Sequence, residues 1–158
     1  MKGTTMSRGV FAGLCLAACL GLAGCGGGGP AAKYKIGVIP KGLTHEFWQS
    51  IHRGADQAAK DLNTPSVGVD IFWDGPREES DATEQINLIR QMTNMGANAL
   101  VLAPQDIVQM VAPVEQAVAR GVPVVIIDSG LDADTLAKKP DLIVKYVATN
   151  NKNGGRLA

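Results

Sequence analysis

The sequence is poor in aromatic residues, with two Trp, two Tyr and three Phe among 158. Charge of neither sign dominates: Lys+Arg and Asp+Glu are both 15. A chain without a basic surplus gives no reason to expect nucleic acid as a partner. Cysteine occurs only at Cys15, Cys19 and Cys25. The rest of the chain therefore has neither a disulfide nor a cysteine metal site. No Gly-x-Gly-x-x-Gly loop, P-loop or nucleophile elbow is present, which argues against an enzyme and against a nucleotide cofactor. Asp132 and Asp134 lack the remaining spacing of a calcium loop, so no metal is expected. The longest apolar run, 9–23, falls short of the roughly 20 residues that span a bilayer.

What is present falls into two parts. Lys2 and Arg8 precede the uncharged run 9–23, the layout of a secretory signal peptide. Leu22, Ala23, Gly24 and Cys25 follow, and this tetrad resembles the lipobox of bacterial lipoproteins. The resemblance implies cleavage after residue 24 and diacylation of the Cys25 thiol. Gly26 to Gly29 and Pro30 then read as a flexible tether over 25–33. Removal of 1–24 takes Lys2 and Arg8 with it and leaves 13 basic and 15 acidic residues.

From Tyr34 onward strand-like and helix-like patterns alternate. Short apolar or β-branched runs predict strands over 34–39, 67–73, 99–103, 122–127 and 142–148. The period changes between them. Phe47, Ile51, Ala55, Ala58 and Leu62 mark one helix face. Ala82, Ile86, Ile89 and Met92 mark a second, with Gly96 as its stop. Ile107, Val111, Val114 and Val118 mark a third, capped by Gly121. Nearly continuous apolar runs such as 122–127 suit strands buried on both faces. The fold class is α/β, a parallel sheet with right-handed crossovers. The spatial order of the strands does not follow from the pattern.

Loops after parallel strands are where ligands bind. Here they carry Thr44, His45, Glu46, Phe47 and Trp48 after the first strand and Asp74 after the second. Gln105 and Asp106 follow the third. Asp128 and Ser129 follow the fourth. Thr149, Asn150 and Asn151 follow the fifth. Carboxylates and amides suit sugar hydroxyls, and an aromatic ring suits a sugar C–H face. Simpler roles compete at several positions. Phe47 fits the apolar face with Ile51, whereas Trp48 lies off it. His45 could be a loop or capping residue, Asp128 a turn residue, and Asp106 a cap of the third helix. Glu78 and Glu79 would favour the start of the second helix, and His52 reads as surface.

The ordered series His45-Glu46-Phe47-Trp48, Ala99-Leu100-Val101-Leu102-Ala103-Pro104, 121–128 and Val147-Ala148-Thr149-Asn150-Asn151 resembles the periplasmic sugar-binding proteins of ABC importers, of the ribose-binding type. The resemblance runs from about Tyr34 to the end. It implies one Rossmann-like lobe of a two-lobed type 1 binding protein, in lipoprotein form, without cofactor and acting as a monomer. Residues 34–149 would be the first lobe. Residues 150–158 would be the crossing and the start of a second lobe that the chain does not contain. Phe47 and Trp48 correspond to the aromatic pair that stacks on the sugar, His45 to a hydroxyl donor and Asp128 to a hydroxyl acceptor. Asn150 stands where an Asp is usual. Ser129 departs from the pattern, since ribose binders carry Arg there. Asp74 and Asp106 are further candidates from the rim itself. The implied ligand is a monosaccharide or small polyol, and the implied partner is an ABC permease. The implied location is the cell envelope, lipid-anchored and facing the periplasm or exterior. A sugar-sensing lipoprotein acting on a chemoreceptor or sensor kinase is the alternative.

Overall fold

The computed structural model describes residues 33–157. The expected signal segment, Cys25 and the tether up to residue 32 lie outside the described residues. The elements are β1 (Tyr34–Ile39), α1 (Glu46–Leu62), β2 (Val69–Trp73), α2 (Ala82–Asn94), β3 (Ala99–Leu102), α3 (Val111–Ala119), β4 (Val124–Ile127), α4 (Ala133–Lys138), β5 (Lys145–Val147) and α5 (Asn151–Leu157). The five strands form one parallel sheet in the order β2-β1-β3-β4-β5.

Alternation along the strands divides the apolar residues between two faces. Ile39, Leu100, Leu102, Val124 and Ile126 turn to one face and are fully or almost fully buried beneath α2 and α3. Leu88, Ile89 and Met92 of α2 and Val114 of α3 complete this core. Gly37 belongs to the same face. A Cβ there would lie 2.6 Å from the Met92 sulfur and 2.7 Å from Leu100 Cδ2, so glycine lets α2 settle on β1. Gly96 and Gly121 both take φ +80 just past α2 and α3, the left-handed geometry that terminates helices at glycine.

The opposite face is covered only in part. There α1 packs against β2, and Ile36, Val38, Val101, Ile127 and Val147 line an open apolar groove beside it. Strands of a parallel sheet are ordinarily covered on both faces.

Two local expectations are corrected and one element is added. The stretch from Ile107 is a turn, with Ile107 and Val108 exposed, and α3 begins only at Val111. The strands are shorter than the apolar runs, because Pro123 and residues 142–144 lead into β4 and β5 without joining them. The short helix α4, whose N-cap is Asp132, has too few apolar residues to show a period.

Candidate functional site

The strand order creates a switch point. The connection after β1 leads to β2 on one side, and that after β3 leads to β4 on the other. The loops separate there and leave a crevice at the carboxyl ends of β1 and β3, the usual ligand position in open parallel sheets. Lys41 and Gln105 follow these two ends.

Lys41 reaches across the crevice to the end of β4. Its Nζ lies 2.8 Å from Asp128 Oδ2 and also donates to Ser129 Oγ. The Ser129 hydroxyl donates to Asp128 Oδ2 at 3.2 Å. The Lys41 and Asp128 side chains are 20% and 33% exposed, so the pair is accessible without being fully solvated. Asp128 has φ 61, a region that most non-glycine residues avoid and Asp tolerates better. Two bonds hold it there. Its N–H donates to the Val147 carbonyl at 3.0 Å, and its carbonyl accepts the Tyr146 hydroxyl at 2.8 Å. The rim thus presents an ammonium, a carboxylate and a hydroxyl side by side. Pattern reading passed over Lys41 and Tyr146. The available signal for Lys41 was its place immediately after the proline that ends the first strand.

The start of α1 supplies the aromatic side. His45 is the N-cap, and its Nδ1 accepts the Phe47 N–H at 3.1 Å. That bond requires the neutral ring to carry its proton on Nε2, which leaves a donor. Phe47 and Trp48 meet edge-on, with centroids 4.8 Å apart and planes at 75°. Their environments reverse the expectation from helix periodicity. Trp48 is 2% exposed, whereas Phe47 is 45% exposed. In the first turn of α1 the indole is anchored by the β2–α2 loop, where Glu79 Oε1 accepts its Nε1–H at 2.6 Å. Glu79 therefore does more than favour the start of α2, whose N-cap is Asp81. His52, expected as plain surface, stacks on Trp73 with ring centroids 4.3 Å apart.

Phe47, Trp48, Asp128 and Thr149 line the apolar groove, a cavity of about 570 Å³. Phe47, Trp48 and Asp128 thus share one groove, and Asp128 and Ser129 meet Lys41 at its edge. Asn150, next to Thr149, accepts the Asn153 N–H at 3.0 Å and starts α5. Asp74 and Asp106 stand apart from this group. Asp74 accepts the Gly75 N–H at 2.8 Å and lines a separate small pocket with Leu88 and Gln91. Asp106 accepts the N–H groups of Gln109 and Val108 at 2.8 and 2.9 Å. These bonds, that of the Gln109 backbone foremost, hold its carboxyl below the ordinary 3.8.

The fold is an α/β lobe of the kind found in type 1 periplasmic binding proteins. Residues 36–158 match the family described as periplasmic binding protein domain, and the chain belongs to that family. It is 32% identical over 125 residues to the D-ribose/D-allose-binding protein of Pseudomonas aeruginosa, covering 79% of this chain and 38% of that one. An ABC transporter solute-binding protein from Agrobacterium vitis with bound D-fucose superposes with a TM-score of 0.67 at 36% identity. That similarity covers 78% of this chain and 40% of the other. A periplasmic solute-binding protein from Actinobacillus succinogenes with bound D-allose gives a TM-score of 0.70 at 25% identity, over 79% and 42%. The chain spans about two fifths of the length of these relatives.

Proposed function

We propose that this chain forms the first lobe of a lipid-anchored solute-binding protein that captures a monosaccharide or related small polyol and delivers it to an ABC permease. The observation that carries this reading is the Lys41–Asp128–Ser129 cluster beside an exposed Phe47 at the switch point. Vicinal hydroxyls need a donor and an acceptor close together. The ammonium and carboxylate supply charge-assisted bonds, which are worth more than neutral ones. Phe47 offers an aromatic face and His45 Nε2–H a further donor. Trp48 acts behind Phe47 as a fixed buttress. Ser129 stands where ribose binders carry Arg, and the cation of this rim comes instead from Lys41.

The names of the relatives support a sugar: D-ribose or D-allose in one case, D-fucose and D-allose in two others. The uncovered apolar groove supports a larger protein around this lobe, since a parallel sheet is ordinarily covered on both faces. In this reading Cys25 carries the lipid, 25–33 is the tether, and Asn150 begins the crossing to the second lobe.

Thermal melting against a panel of pentoses, hexoses and polyols tests the binding claim, because a ligand of the folded state raises the melting temperature. A rise with one sugar, lost in Asp128→Asn and Lys41→Met, is the expected result. No rise with any member, at concentrations high enough to register a half-enclosed site, contradicts it. For the anchor, Cys25→Ala should release the protein from the membrane fraction. Retention there would refute lipidation at Cys25.

A further inference from the structure

Gln85 and Gln105 form a polar pair that helix capping does not account for. Gln85 projects from α2 and is 0% exposed. Its Nε2 donates to the Pro40 and Ala103 carbonyls, both at 2.9 Å. These carbonyls belong to the ends of two neighbouring strands, where the loops diverge and no strand partner remains for them. Gln85 Oε1 accepts the Gln105 N–H at 3.0 Å. Gln105 Nε2 in turn donates to the Lys41 carbonyl at 2.5 Å and the Glu78 carbonyl at 3.2 Å. Lys41 carries the ammonium that meets Asp128, and Glu79, next to Glu78, carries the carboxylate that grips Trp48. One amide thus ties the backbone beneath the cationic side of the rim to the backbone beneath its aromatic side.

We infer that Gln105, seated by Gln85, is the positioning residue of this rim: it sets the Lys41 backbone so that the ammonium reaches Asp128, and with it the affinity for a sugar hydroxyl. The inference rests on the sugar-binding reading for its effect on affinity, but not for its effect on Lys41. The backbone bond is specific to that task. Lysine is a flexible four-carbon stem with a strongly hydrated end, so its ammonium holds one place in an open crevice only if its base is held. Gln105 also keeps one acceptor in hand, since its Oε1 is buried without a hydrogen-bond partner.

The test uses the 158-residue chain with Gln105→Ala, Lys41→Ala and the double variant, and Gln85→Met as a second route. The first readout is the ¹⁵Nζ resonance of Lys41, which is sharp when the ammonium is held and broadens into solvent exchange when it is not. Lys41→Ala assigns it, and Asp128→Asn shows its position without the carboxylate. Gln105→Ala is expected to abolish the sharp signal in a chain that stays folded by circular dichroism. The second readout is D-allose affinity by titration. Gln105→Ala should weaken it roughly tenfold when Lys41 is present, and by less than about twofold in the Lys41→Ala background, the non-additivity of residues acting through one another. A merely structural glutamine would lower the melting temperature while leaving the Lys41 signal intact, and that outcome overturns the inference. Equal losses of affinity in both backgrounds overturn it as well. If the unaltered chain binds no D-allose, the sugar reading fails there, and the Lys41 resonance still decides the positioning role. Gln85→Met should reproduce the loss of signal if the chain folds.

Discussion

Truncating Trp48 and Phe47 separately should split stability from binding. Trp48 is almost fully buried and gives its indole N–H to Glu79, while Phe47 beside it is nearly half exposed. Replacing a buried Trp by Ala removes its packing and leaves a cavity, at a cost of about 3–5 kcal/mol. Removing Phe47 forfeits an edge-on aromatic contact of about 0.5–1.5 kcal/mol and the burial of about half a side chain rather than a whole one. Trp48→Ala should therefore lose more stability than Phe47→Ala. Trp48→Phe keeps most of the volume and gives up the hydrogen bond, and it should fall between them. Urea unfolding followed by far-ultraviolet circular dichroism measures all three, and Trp48→Phe keeps the comparison usable if Trp48→Ala does not fold. Sugar affinity should reverse the order, with Phe47→Ala weakening D-allose binding more than Trp48→Phe. Equal stabilities for Trp48→Ala and Phe47→Ala would refute the buttress role of the indole.

Three further outcomes follow from the geometry. Asp128 holds φ 61, so Asp128→Gly should be more stable than Asp128→Ala by about 1 kcal/mol, although both lose the carboxylate; equal urea midpoints would contradict this. Asp132 has its carboxyl held below the ordinary 3.8, by the Thr135 hydroxyl first and the Thr135 N–H second, and Asp106 is likewise lowered. A depressed folded-state value means stability that is fully present above 3.8 and lost as pH falls through the lower value. Asp132→Asn keeps a capping side chain without the titration, so its urea midpoint should fall less between pH 5 and about pH 2.5 than that of the unaltered chain; parallel curves would contradict the assignment. Gly37→Ala pushes a methyl against Met92 and Leu100 and should cost about 1–3 kcal/mol, read from the same urea curves; no loss would mean that α2 can shift freely.

The elements that could be read in advance are those whose signal is local. The runs of β1, β3 and β4 and the three-and-four spacing of α1 and α2 need no partner to be recognised, and Gly96 and Gly121 mark helix ends by their own backbone freedom. Strand order is not local, and without it the switch point beside Lys41 had no location. Lys41 and Asp128 are far apart in sequence, so their pairing exists only once β3 lies between β1 and β4. The same reason hid Glu79 in the β2–α2 loop, whose partner Trp48 lies in α1, far back along the chain. Phe47 and Trp48 were distinguished by the helix stripe, yet the first turn of α1 answers to the loop beside it as much as to the sheet beneath. Asp128 was found because it ends a strand. The bonds that hold it in the left-handed region come from β5 and were not visible.

The most direct test of the central claim is a chemical-shift titration of the ¹⁵N-labelled chain with D-allose, a probe taken from the relatives, carried to high millimolar concentration so that a half-enclosed site still registers. The account predicts dose-dependent shifts gathered at Lys41, His45, Phe47, Asp128, Ser129 and Thr149, with the α2–α3 side of the sheet unchanged. Shifts spread over that opposite side, or none at the rim at any concentration, would contradict it.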